Sequence, residues 1–187
     1  MFYVIVIVCA NLLNIAGNYL FRGEGDIGRL GAFSLQSVAA TVTVIAIDGL
    51  TAFIIRRLPE RWFAPDSDVF AVGDAERRFY KRIKVKAWKD KVPELGGFSG
   101  FHKDKLQSRT DGSYLARFLL ESNYGVVIHI ANAVFGALIL PIPYVGGLCT
   151  GIPVFVTNFI LSMMPVAVLR ANTPTLRQLY KRSLSAK

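Results

Sequence analysis

Three ionisable side chains, Asp48, Glu121 and His129, lie in or at the edge of stretches that are apolar enough to enter a bilayer. Titratable groups are costly to keep at membrane depth, so they mark either a functional site or a structural pairing. Histidine suits proton transfer because its ordinary pKa of about 6.5 lies near the working pH. His129 is therefore the candidate catalytic base, and the two carboxylates are candidates to support it.

Helix geometry decides which carboxylate can reach His129. Glu121 and His129 are eight positions apart on one predicted helix, about 12 Å along its axis, which is too far for a direct hydrogen bond. We expect Glu121 to orient a basic residue or the substrate at the cytoplasmic mouth of the site. Asp48 lies at a similar predicted depth in the preceding span and is the candidate to hold the imidazole, although a purely structural ion pair fits equally well.

The elements that must position these residues are membrane helices. Hydrophobic residues make up 52% of the 187-residue chain and its mean hydropathy is +0.40, more than a soluble domain carries. The sequence predicts an all-α integral membrane protein, a single membrane domain over residues 1–187. The four predicted transmembrane helices cover about residues 2–21, 32–55, 121–140 and 150–169.

Polar and charged residues add detail to this plan. Asn11, Asn14 and Asn18 recur at helical spacing in the first span, which predicts either hydrogen bonds between helices or a polar groove for a ligand. Beyond Arg170 we expect a separate short basic surface helix that begins near Thr173 or Thr175.

The distribution of charge predicts the topology. Of 22 Lys and Arg residues, fifteen lie between Arg56 and Arg117 and five from Arg170 onward. By the positive-inside rule, the segment 56–120 and both termini face the cytoplasm, and the same bias argues against nucleic acid as the main partner. This segment is also rich in aromatic residues, so we expect it to lie along the headgroup region. Its cations would attach to lipid phosphates or hold the phosphates of a substrate.

Further residues have two interpretations each. Arg170 could bind a phosphate or carboxylate, or it could be an anchor at the membrane interface. Asn172 could donate a hydrogen bond to an oxyanion, or it could cap the terminal helix. His102 is either an exposed loop histidine or part of a loop that closes over a lipid. Cys9 and Cys149 lack metal or redox spacing and are expected to pack in apolar surroundings, so we predict neither a metal nor a bound cofactor.

Four short motifs occur in a suggestive order. They are RLPERWF at 57–63, WKDK at 88–91, Glu121 followed by His129, and RANTPTL at 170–176. In order and spacing they resemble the glycosyl-diaponeurosporenoate acyltransferase family, over about residues 57–176. The resemblance implies a small bacterial membrane enzyme that acylates the glucose of a carotenoid glycosyl ester.

The resemblance also implies a set of substrate-binding residues: Arg57, Trp88, Lys89, Lys91, Arg170 and Asn172. Its partners would be membrane lipids, a lipid-linked sugar acceptor and acyl-CoA or another acyl donor, in the bacterial cell membrane. One alternative is a non-catalytic lipid-binding scaffold in which Asp48, His129 and the asparagines hold the helices together. A small transporter subunit is a weaker alternative, because four spans leave little room for alternating access. The oligomeric state stays open.

Overall fold

The computed structural model describes residues 2–92, 106–145 and 147–185, whose regular secondary structure is all helical, without a strand. The α-helices are α1 (Phe2–Arg22), α2 (Ile27–Ile55), α3 (Asp74–Arg82), α4 (Val85–Trp88), α5 (Gly112–Phe135) and α6 (Gly147–Ser185). Short 3₁₀ helices lie at Glu60–Phe63, Asp68–Phe70, Lys89–Lys91 and Gly136–Ile139.

Four helices are long and apolar enough to cross a membrane, as the sequence predicts: α1, α2, α6, and α5 with the 3₁₀ turn that follows it. Helix α5 begins at Gly112, nine residues before the predicted start of the third span. The Asp111 carboxylate explains the earlier start, since it accepts hydrogen bonds from the backbone N–H groups of Ser113 and Tyr114 and so caps the helix. The N-in/C-in topology stays a prediction.

The fourth long helix differs from expectation at its C-terminal end. In place of a span and a separate basic helix, α6 runs unbroken for 39 residues, through Pro165 and Pro174. Its last turns are held by packing, because Leu176 joins Leu115 and Leu119 of α5 in a buried apolar cluster. This burial favours the continuous helix over a break at the prolines.

The chain divides into two compact units, and α2, α5 and α6 contribute residues to both. Unit 1 comprises Met1–Phe53 and Ile130–Met163, and unit 2 comprises Ile54–His129 and Met164–Lys187.

In unit 1, α1 is polar inside and apolar outside. Asn14 and Asn18 are its buried residues, whereas Leu13 and Leu20 are largely exposed. Asn14 donates to the Ser37 hydroxyl at 3.1 Å and to the Thr150 carbonyl at 3.1 Å. A helix with apolar residues outward suits a lipid environment, and the prediction that the asparagines bond neighbouring helices is confirmed.

The alternative prediction of a polar groove has a counterpart in unit 1. Asn11 lines a small cavity of roughly 40 Å³ together with Thr41 and Asn158 and aliphatic side chains. The Asn11 amide oxygen is already bonded, since it accepts from Ser37 at 2.7 Å and from Thr41 at 3.1 Å.

The expectation that the two cysteines are packed inside the protein is wrong. Cys9 and Cys149 are free thiols and both are exposed. In unit 1 many apolar side chains of the helices point outward. Apolar neighbours in the sequence therefore do not show that a residue is buried.

Candidate functional site

A fully buried carboxylate, Glu121, is the centre of the polar network in unit 2. It lies on α5 and is 1% exposed. Its Oε2 accepts from Nη1 of Arg56 at 2.6 Å, and its Oε1 lies 2.8 Å from Nη2 of Arg117. Arg117 also approaches the exposed carboxylate of Glu60 at 3.7 Å. Two guanidinium groups are thus held by opposite oxygens of one buried carboxylate.

The residues that follow Glu121 fix the segment beside it. The Asn123 amide donates to the carbonyl of Phe63 at 3.0 Å, and the Tyr124 hydroxyl donates to the carbonyl of Leu58 at 2.8 Å. The rings of Phe63 and Tyr124 stack with centroids 3.8 Å apart, and the Arg56 guanidinium lies over the Tyr124 ring at 5.3 Å. This face of α5 therefore orders residues 58–64 and holds Arg56 in place.

His129 is half-buried and lies two turns further along α5 than Glu121. The separation of about 12 Å along the helix axis agrees with the expectation that the two do not pair directly. Asp48 lies in unit 1, where its Oδ1 accepts from the Asn158 amide at 3.4 Å. The pairing of Asp48 with His129 stays a prediction.

A second ion pair in unit 2 joins α3 to α6. Arg170 donates from Nε and Nη2 to the two carboxylate oxygens of Glu76, at 2.7 and 2.6 Å, and also to the carbonyl of Ala71 at 3.2 Å. Tyr80 adds a hydrogen bond to Glu76 at 2.6 Å. This is a bidentate pair in which both guanidinium and carboxylate are mostly buried.

The surroundings of Glu76 and Tyr80 change their acidities. Burial by itself would raise the pKa of Glu76, but the hydrogen bonds from Arg170 and Tyr80 and the charge of Arg170 outweigh it and lower the pKa below the ordinary 4.5. Burial and the bond to Glu76 raise the pKa of Tyr80 to about 12. At neutral pH the cluster is a charged carboxylate and guanidinium with a neutral phenol.

The family model for glycosyl-4,4'-diaponeurosporenoate acyltransferase matches residues 59–182 of this chain. The chain belongs to this acyltransferase family. No curated protein and no solved structure matches it.

The match to the glycosyl-4,4'-diaponeurosporenoate acyltransferase family confirms the resemblance noted from the motifs. The matched range includes Glu121, His129 and Arg170, whereas Asp48 and Arg56 precede it.

The other predicted site residues of this family member lie in unit 2. Arg57 is exposed. The indole N–H of Trp88 donates to the carbonyl of Ile83 at 2.9 Å, and Lys89 and Lys91 lie in the 3₁₀ turn that follows. Asn172 lies inside α6, so it does not cap a terminal helix there. Their substrate-binding roles stay predictions, and His102 lies outside the described residues.

The sequence reasoning expected a basic partner for Glu121, which the structure confirms, but it did not identify Arg56 or Arg117 and it missed the acidic partner of Arg170. One signal was available, because Arg117 and Glu121 are four positions apart and share a helix face. Arg56 is 65 positions from Glu121, and Glu76 is 94 positions from Arg170, so no local pattern links them. Within residues 2–92, 106–145 and 147–185, no three His, Cys, Asp or Glu side chains come together as metal ligands.

Proposed function

We propose that this chain moves a fatty acyl group onto a sugar hydroxyl of a glycolipid or glycosylated terpenoid, at the cytoplasmic face of the bacterial plasma membrane. The observation that carries the proposal is the acyltransferase family match over residues 59–182. The family's name supports an acceptor of the carotenoid glycosyl ester type. The concentration of Lys and Arg between Arg56 and Arg117 supports a cytoplasmic face with both termini on that side.

In this proposal His129 is the general base. Its imidazole takes the proton of the sugar hydroxyl while the oxygen attacks the acyl carbonyl carbon and the new C–O bond forms. The bond to the leaving group of the donor then breaks, and the proton on His129 passes to that group. The half-buried position of His129 on α5, the most buried of the four long helices, supports this role.

Glu121 has a different role, because its oxygens are already engaged. Arg56 and Arg117 each contact one of them, so both oxygens already have a cationic partner. We assign Glu121 to positioning these two cations. Arg57, Trp88, Lys89, Lys91, Arg170 and Asn172 remain the proposed substrate contacts from the sequence motifs.

The product of the purified protein tests the reaction. Full-length protein in nanodiscs is incubated with isotope-labelled palmitoyl-CoA and either a glycosylated terpenoid or phosphatidylglycerol, and the lipids are analysed by mass spectrometry. We expect a labelled ester on the sugar of the glycosylated terpenoid. Recovery of both substrates unchanged, with lipid bound to the protein, would favour the non-catalytic scaffold.

A further inference from the structure

We propose that Arg56 and Arg117, held by the buried Glu121, form a binding site for a phosphate group. The phosphate belongs either to a nucleotide-containing acyl donor such as acyl-CoA or to the headgroup of an anionic lipid. The donor case rests on the proposed function, whereas the lipid case is independent of it.

The first argument is the arrangement of the two cations. Each guanidinium contacts a different oxygen of the same carboxylate, at 2.6 and 2.8 Å, so both lie within reach of a single phosphate. A guanidinium has five N–H donors in a planar fork, and its contact with Glu121 leaves capacity for a second acceptor. The carboxylate thus fixes the spacing of two groups that suit phosphate geometry.

The second argument is the difference in exposure between the carboxylate and its partners. The Glu121 side chain is 2% exposed, whereas those of Arg56 and Arg117 are 33% and 49% exposed. The negative charge of Glu121 is therefore buried, whereas the two guanidinium groups reach the surface. Arg57, which is also exposed, adds positive charge at the same end of α2.

The third argument concerns Glu60, the other carboxylate near the site. Its side chain is 71% exposed and lies 3.7 Å from Arg117, a long and solvent-screened contact. A phosphate group offers more acceptor oxygens than this carboxylate and can replace it. Glu60 is therefore a competitor of the ligand, and its removal is expected to strengthen phosphate binding.

Binding is measured without turnover, so failure of the catalytic proposal does not affect the result. Full-length protein in detergent is titrated by calorimetry with coenzyme A and, in a second arm, with phosphatidylglycerol against dioleoylglycerol, which lacks phosphate. The arm that binds identifies the source of the phosphate. Arg117→Gln is expected to weaken that binding about ten- to a hundredfold, the effect of losing one charge-assisted contact.

Two further variants make the test decisive. Arg77→Gln is the matched control, because Arg77 in α3 is a half-exposed arginine with only a 3.7 Å contact to Asp74, and it should change affinity less than about twofold. Glu60→Gln should tighten binding about two- to fivefold, and it also covers the case in which Arg117→Gln does not fold. The proposal is overturned if no phosphate probe binds, if Arg117→Gln binds like Arg77→Gln, or if Glu60→Gln leaves the affinity unchanged or weaker.

Discussion

Replacing Glu121 by Gln tests whether the buried carboxylate holds unit 2 together. Breaking a buried ion pair by removing one partner typically costs about 3–5 kcal/mol, because the other charge stays buried. Here the remaining guanidiniums are 33% and 49% exposed and can regain water, and the amide oxygen keeps one acceptor. The expected loss of unfolding free energy is therefore about 2–3 kcal/mol.

The assay is thermal unfolding in detergent, followed by tryptophan fluorescence. The two tryptophans of the chain, Trp62 and Trp88, both lie in unit 2 and report on it. For a chain of this length the expected fall in Tm is about 4–12 °C. Glu60→Gln, which removes an exposed carboxylate from the same network, should cost at most about 1 kcal/mol. The reasoning fails if Glu121→Gln lowers Tm no more than Glu60→Gln does.

Two other substitutions test separate contacts. Glu76→Gln removes a carboxylate whose pKa is lowered in the folded state, so its stabilisation is present above pH 4.5 and is lost as pH falls through the folded-state pKa. The variant should be about 2–3 kcal/mol less stable at pH 7, with a difference that shrinks in acid; a difference independent of pH would contradict this. Gly136→Ala places a methyl group 2.6 Å from the Asn158 amide and should cost about 1–3 kcal/mol. Gly17→Ala, which meets nothing within 4 Å, should not destabilise, and equal loss in both would refute the clash.

The sequence predicts the four long helices well because each has a continuous apolar stretch of sufficient length. The interhelical bonds of Asn14 and Asn18 are also predictable, since polar side chains at helical spacing in a span need partners. The C-terminal end of α6 cannot be predicted in this way, because Leu176 stabilises the helix through contacts with Leu115, which is distant in sequence.

The candidate site shows the same division between local and distant information. Glu121 and His129 share one helix, so their separation follows from helix geometry. Arg56 and Glu76 could not be assigned as partners of Glu121 and Arg170, because these pairs form only when distant segments pack together. Segment 56–120 contains many basic residues, so charge alone could not show which of them pairs with Glu121.

The most direct test of the central claim is the transfer rate of His129→Ala. Turnover of labelled palmitoyl-CoA and a glycosylated terpenoid is compared with that of the unmodified chain, after the variant's Tm and elution volume show that it is folded. Gln178→Ala, an exposed polar position on α6, is the control. The account predicts that kcat falls about a hundred- to ten-thousandfold in His129→Ala alone. Normal turnover in folded His129→Ala would contradict the assignment of His129 as the base.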